Sequence, residues 1–219
     1  MTGPTRWGSL PPAVRGRYAD KFTRLVVDGS DIDGEARLAD ALAPRGARIL
    51  DAGAGMGRVG AALQAGGHDV TAVEVDPELV ALCRRTYPGL PVIDADLTTL
   101  SPLLLAAHDR PTAYDLVVAV GNVMVYLAEA TEASVLHAIS RVLAPQGRVL
   151  LGFDLTGSRP GSRVYPVDAL VADAAAAGLV VEVHAGTYDL RPPTAEFAVL
   201  VLGRQREQPA AGREDRPAG

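Results

Sequence analysis

Short apolar runs rich in β-branched residues alternate along the chain with longer stretches whose apolar positions recur every three or four residues. Residues 47–51 form the first short run, after a turn at Pro44 to Gly46, and predict a buried strand. Residues 57–65 read as a helix that Gly66 and Gly67 end. A second strand is predicted over 69–74, and a helix over 77–85 with Pro77 at its first position, where its missing N–H costs nothing. The third strand falls at 90–94 and the fourth, apolar on both faces, at 114–120. A helix over 131–143 places Val135, Leu136, Ile139, Val142 and Leu143 on one face. Gln146 and Gly147 turn the chain into a fifth strand at 148–153, and a helix over 167–177 stops at Gly178.

The pattern changes at both ends. Residues 14–27 and 32–42 read as two helices before the first strand, with Asp31 placed to cap the second. Residues 179–182 and 197–202 are strand-like, and the link between them holds Arg191, Pro192 and Pro193 but no helix. An antiparallel hairpin at one sheet edge follows. Strands apolar on both faces and separated by helices predict an α/β fold with a mostly parallel sheet covered on both sides. Three regions result: a helical cap over 1–43 forming part of a substrate pocket, a core over 44–203, and a charged, Pro/Gly-rich tail over 204–219 expected to be disordered.

Composition narrows the function classes. With 48% hydrophobic and 21% charged residues the chain is globular rather than disordered. Its one cysteine, Cys83, excludes an internal disulfide framework and a Cys-rich zinc module, and with only four histidines no metal site is expected. A net charge of −5 argues against binding nucleic acid or anionic membrane through charge alone. The longest apolar stretch, 116–128, is broken by Gly121 and Asn122 and falls short of the ~18 residues a membrane helix needs. The first residues lack the apolar core of a signal peptide, so a cytoplasmic protein is expected.

The strongest chemical feature is Ile49-Leu50-Asp51-Ala52-Gly53-Ala54-Gly55-Met56-Gly57-Arg58, a strand entering a glycine-rich turn that opens a helix. Glycine permits positive φ and close backbone approach to a ligand. The helix start adds free N–H groups and a positive dipole end. In an open parallel sheet ligands bind at the carboxyl ends of the strands, where this turn falls. Gly55, Gly57 and Gly60 also satisfy the dinucleotide fingerprint GxGxxG, a weak match in a chain with 23 glycines. A nicotinamide-dependent oxidoreductase thus stays open. Asp51 counts against it, because a carboxylate before the first tight turn repels a pyrophosphate and welcomes an ammonium group. Glu74 ends the second strand roughly twenty residues on, the spacing at which an acid accepts ribose hydroxyls. Asp96, just past the third strand, is placed to receive an adenine amino group.

With these elements in order, the chain resembles the class I S-adenosylmethionine-dependent methyltransferases. The resemblance rests on DAGAGMGR at 51–58, VEVD at 73–76, DADL at 94–97, YDLVVAVGNVMVYL at 114–127 and LAPQGRVLLGF at 143–153. It covers roughly residues 45–202. It implies a Rossmann-like three-layer sandwich on a seven-stranded sheet, the last strand inserted antiparallel. It also implies S-adenosyl-L-methionine as cofactor and S-adenosyl-L-homocysteine as product. On this resemblance Gly53, Ala54 and Gly55 pass backbone against the methionine part, and Asp51 holds its amino group directly or through water. Glu74 binds the ribose with Val75 against adenine. Asp96 binds the adenine amino group with Leu97 beside it, and Val120 and Gly121 lie under the sulfonium.

Methyl transfer from a sulfonium needs positioning and dryness more than a particular base. The catalytic residue is therefore unassigned, with Asp154, His184 and Tyr126 as weak candidates. Tyr165, Tyr188, Asp189 and Arg191 also belong to segments over the carboxyl edge. Gly121-Asn122-Val123-Met124 replaces the Asn/Asp-Pro-Pro-aromatic pattern of methyltransferases acting on exocyclic nitrogens. A small-molecule acceptor is thus expected rather than nucleic acid, in a pocket lined by Trp7, Tyr18, Phe22, Val123, Met124 and Tyr165, with Tyr18 able to cover the cofactor. A homodimer stays open. So do a non-catalytic or partner-dependent protein of the same fold and a macromolecule-directed methyltransferase.

Overall fold

The computed structural model describes residues 3–29 and 31–205. Most of the expected tail, and the side chains of Tyr18 and Phe22, lie outside the described residues. Two helices, α1 (Pro12–Val27) and α2 (Gly34–Leu42), precede the sheet. Then follow β1 (Arg48–Ala52), α3 (Arg58–Ala65), β2 (Asp69–Glu74), α4 (Pro77–Thr86), β3 (Val92–Asp94) and α5 (Pro102–Ala107). The second half runs β4 (Tyr114–Ala119), α6 (Val123–Tyr126), α7 (Glu132–Val142), β5 (Leu143–Asp154), α8 (Val167–Ala176), β6 (Leu179–Ala185) and β7 (Phe197–Arg204).

The strands form one seven-stranded sheet in the order β3-β2-β1-β4-β5-β7-β6. The first five run parallel, and β7 lies antiparallel between β5 and β6. The sheet is the Rossmann-like three-layer sandwich expected, with helices on both faces. Strand alternation sorts the core. Leu50 and Ala52 of β1 pack on the face covered by α7 and α8, while Ile49 packs on the face covered by α2, α3 and Cys83 of α4. Chain order reverses between β1 and β4, which places a crevice at their carboxyl ends.

Several local readings change. Asp31 does not cap α2: the helix starts at Gly34 after Asp33, and both Asp31 oxygens pair with the Arg37 guanidinium at 2.7 and 3.0 Å. Helix α5 was not anticipated, although Ser101 accepts from the Leu104 N–H and Pro102 stands at its first position. Strand β5 begins at Leu143, because Tyr114 pairs with Leu143 and Leu116 with Arg148, so Gln146 and Gly147 bulge out of a longer strand. Met124 and Tyr165, expected to line a pocket, are instead buried in the core, where Tyr165 donates to Asp173 at 2.6 Å. Among the described residues no helix is long and apolar enough to cross a membrane.

Candidate cofactor and active site

The glycine turn is built on β2 as much as on β1. The Gly53 and Ala54 N–H groups both donate to the Val73 carbonyl, at 2.8 and 3.1 Å. Gly53 has φ +79, and a Cβ there would fall 2.7 Å from a Val123 methyl. Gly57 caps α3 with φ +85, and a Cβ there would overlap the Cys83 sulfur. Both positions need glycine for conformation and for space.

Glu74 knits the two turns together. Its Oε2 accepts from the Gly55 N–H at 2.8 Å, and its Oε1 accepts from the Val75 and Asp76 N–H groups at 2.9 Å each. Burial pushes its pKa up while these donors pull it down. A carboxylate has about four acceptor sites. Three are taken by backbone donors, which leaves about one for a donor in the cavity.

Asp51 points the other way, with Ile49, toward the start of α3. Its Oδ2 accepts from the Gly60 N–H at 2.8 Å. Burial pushes its pKa up to about 7, against the pull of that N–H and of Arg58. Arg58 itself is held by Glu35 of α2, with Nη2 to Oε1 at 2.8 Å, and by the Ile32 carbonyl. The buried Cys83 thiol has its pKa raised to about 11 by burial and by Asp51.

A cavity of about 90 Å³ opens at the carboxyl ends of β1, β2 and β4. It brings together Gly53, Gly55, Glu74, Val75, Asp96, Leu97 and Gly121 of the expected cofactor residues. Asp51, Ala54 and Val120 do not line it. Asp96 caps the turn at Leu97–Thr99: its Oδ1 accepts from the Thr98 N–H and hydroxyl at 2.8 and 2.6 Å. Its Oδ2 accepts no hydrogen bond among the described residues, so it is left for a donor in the cavity. A Cβ at Gly121 would meet open space.

The catalytic candidates separate. Tyr126 lines the cavity and its hydroxyl donates to the Pro160 carbonyl at 3.2 Å. Asp154 lies at the end of β5 outside the cavity lining. Burial alone would raise its pKa, but the Thr156 hydroxyl and N–H and the Gly157 N–H outweigh it and hold the carboxyl below its usual range. His184 lies on β6 opposite Leu200, also outside that lining. Asn122 orders the turn after β4, as its Oδ1 accepts from the Asp154 N–H at 2.8 Å. Tyr188, from the β6–β7 link, reaches Gly152 of β5 and Gly121. Trp7 and Thr5 also line the cavity, with the Trp7 Nε1–H donating to Asp76 Oδ2 at 2.7 Å. No spacing rule pointed to that pairing of distant residues.

These residues fit an S-adenosylmethionine-sized nucleoside in chemistry: backbone at Gly53 and Gly55, acids at the ends of β2 and β3, and apolar walls at Val75, Leu79 and Leu97. The comparisons agree. A family model described as a methyltransferase domain matches residues 49–147. A TehB-like S-adenosylmethionine-dependent methyltransferase from Corynebacterium glutamicum is 36% identical, with 89% of this chain and 100% of that chain covered at a TM-score of 0.75. A 1,6-didemethyltoxoflavin-N1-methyltransferase from Burkholderia thailandensis, solved with that compound and S-adenosylhomocysteine, shares the fold at 22% identity. It covers 90% of this chain and 93% of its own, with a TM-score of 0.58. The sugar N-methyltransferase KedS8 from a Streptoalloteichus species does so at 21% identity, with 86% and 93% covered and a TM-score of 0.63. Curated proteins give no match.

Proposed function

Because the chain belongs to the S-adenosylmethionine-dependent methyltransferases, we propose that it methylates a small organic acceptor seated over residues 121–126. The observation that carries this reading is the cavity shared by Gly53, Gly55, Glu74, Asp96 and Gly121. Glu74 takes one ribose hydroxyl, the free Asp96 oxygen takes the adenine amino group, and the bare backbone of Gly121 faces the reacting end. When bound, S-adenosylmethionine would supply an electrophilic methyl group, whose carbon an acceptor nucleophile attacks in line as the carbon–sulfur bond breaks and S-adenosylhomocysteine leaves.

The chain's own residues contribute position and dryness. Val123, Leu127 and Tyr126 wall the cavity with apolar surface, and water exclusion strengthens every polar contact inside. Asp154 has its Oδ1 held by three donors of its own loop and lies outside the cavity lining, which removes it as the favoured base. Tyr126 is the candidate that remains beside the cavity, and burial raises its pKa. Two structural neighbours carrying small-molecule names support the acceptor class.

Parallel calorimetric titrations with S-adenosylmethionine, S-adenosylhomocysteine and NADH test the reading. Micromolar binding of the two sulfur nucleosides alone is expected, with loss of that binding in Gly53→Val, whose side chain would meet Val123. Binding of NADH alone, or a Gly53→Val variant with wild-type affinity, would sink it. The acceptor class is then tested by turnover on panels of small amines, phenols and carboxylates against nucleic acid and protein.

A further inference from the structure

The cavity's volume of about 90 Å³ is far below the roughly 300–1,000 Å³ of pockets that take ligands of this size. Most of its walls are sheet ends and helix starts backed by the core. One wall differs in kind. Residues 5–10 cross the cavity as a strap, with Thr5 and Trp7 facing in. Among the described residues two backbone bonds tie it to the segment after β4: Trp7 N–H to the Tyr126 carbonyl at 3.3 Å and Arg6 N–H to the Leu127 carbonyl at 3.4 Å. Both are long for N–H···O bonds. The firm contact is the charge-assisted bond from the indole to Asp76 at 2.7 Å. The indole also meets Tyr126 edge-on, ring centroids 5.6 Å apart. At the far end Leu10 is buried against Gly161, where a Cβ would overlap it. The strap is thus anchored at Leu10 and latched at Trp7.

The latch lies where a nucleoside would be felt. Asp76 stands two residues beyond Glu74, and Val75 between them lines the same cavity as Leu79, Leu97 and Trp7. A purine between Val75 and Leu97 would leave its outer face to the indole, a large, rigid apolar surface with one polar handle.

We propose that Trp7 is a cofactor-contacting residue. Residues 5–9 swing away about Leu10 to admit the nucleoside, then close so that the indole, latched on Asp76, forms the outer wall of the filled pocket. This rests on the placement of the cofactor in this cavity, which the Gly53→Val titration tests separately.

Trp7 is the single tryptophan, so its emission reports the strap alone. S-adenosylhomocysteine is expected to shift that emission, with a binding rate that levels off at high ligand because opening becomes limiting. In Trp7→Ala, rapid filtration with labelled S-adenosylhomocysteine should show faster association and faster release. Release should rise by about tenfold or more and affinity should weaken. Trp7→Phe, which keeps a ring against Tyr126 but loses the bond to Asp76, should release at an intermediate rate. A merely structural Trp7 would change the melting temperature and not these rates. Wild-type association and release in Trp7→Ala would overturn the strap while leaving the pocket. Absence of any calorimetric binding to the wild-type protein would overturn both.

Discussion

Asp51 lies wholly inside the protein with the Gly60 N–H as its one hydrogen-bond donor, and burial raises its pKa to about 7. A raised carboxyl pKa favours the protonated folded state, so the stability it contributes is complete below the unfolded value of ~3.9 and is lost as pH rises through about 7. Without cofactor, the folding stability should therefore fall between about pH 4 and pH 7, by on the order of a few kcal/mol, and the melting temperature with it. Asp51→Asn should flatten that slope, leaving the contribution of Glu74, whose shift has the same sign. Thermal melts of both proteins across that range decide it; equal slopes would remove Asp51 as the cause. At Gly57 two penalties coincide, since alanine would be held at φ +85 and pressed into the Cys83 sulfur. Gly57→Ala should cost about 2–4 kcal/mol by denaturant unfolding.

At the scale of elements, the β6–β7 link reaches back under the site. Its Tyr188 ring packs where Gly152 leaves room, edge-on to Phe197 with centroids 5.8 Å apart. The hydroxyl is buried with no hydrogen bond of normal geometry, and burial raises its pKa. Tyr188→Phe should therefore be neutral or stabilising by about 1 kcal/mol. Gly152→Ala should be destabilising because the ring has to leave; both are read from chemical denaturation. A clear loss of stability in Tyr188→Phe would mean that the hydroxyl has a partner in solution. Short elements were the least legible in the sequence. Helix α6 spans only Val123–Tyr126 and has no repeat to detect. Asp31 looked like a cap because an acid stood before an apolar run, yet its pairing with Arg37 moved the helix start past it. The start of α4 was legible because Pro77 marks its first position, and the Asp76 side chain before it accepts from the Glu78 and Leu79 N–H groups.

For the whole molecule, the alternation of apolar strands and amphipathic helices was enough to predict a mostly parallel sheet with a final antiparallel pair. That pattern records burial, and burial is what the sheet's two covered faces impose. The glycine turn was legible for a related reason: at Gly53 and Gly57 backbone conformation leaves few residue choices. The outer wall of the cavity was not legible as a geometry. Trp7 was expected only as apolar lining, and its bond to Asp76 joins residues far apart in the chain with no periodic signature. Asp51 was likewise placed by type, whereas the side of β1 on which it emerges turns it toward α3.

The position of β7 bears on how the chain is assembled as it is made. The last strand among the described residues is an interior strand of the sheet, hydrogen-bonded on both sides. Until it has emerged, β5 presents a bare edge of unpaired backbone groups and β6 has no sheet neighbour. A nascent chain halted before Phe197 thus holds five strands that can pair and one that cannot, with an open seam exposed to any other extended peptide. The sheet closes last in its interior rather than at its rim, and the last of the described strands to be synthesised is the one that joins β6 to the rest.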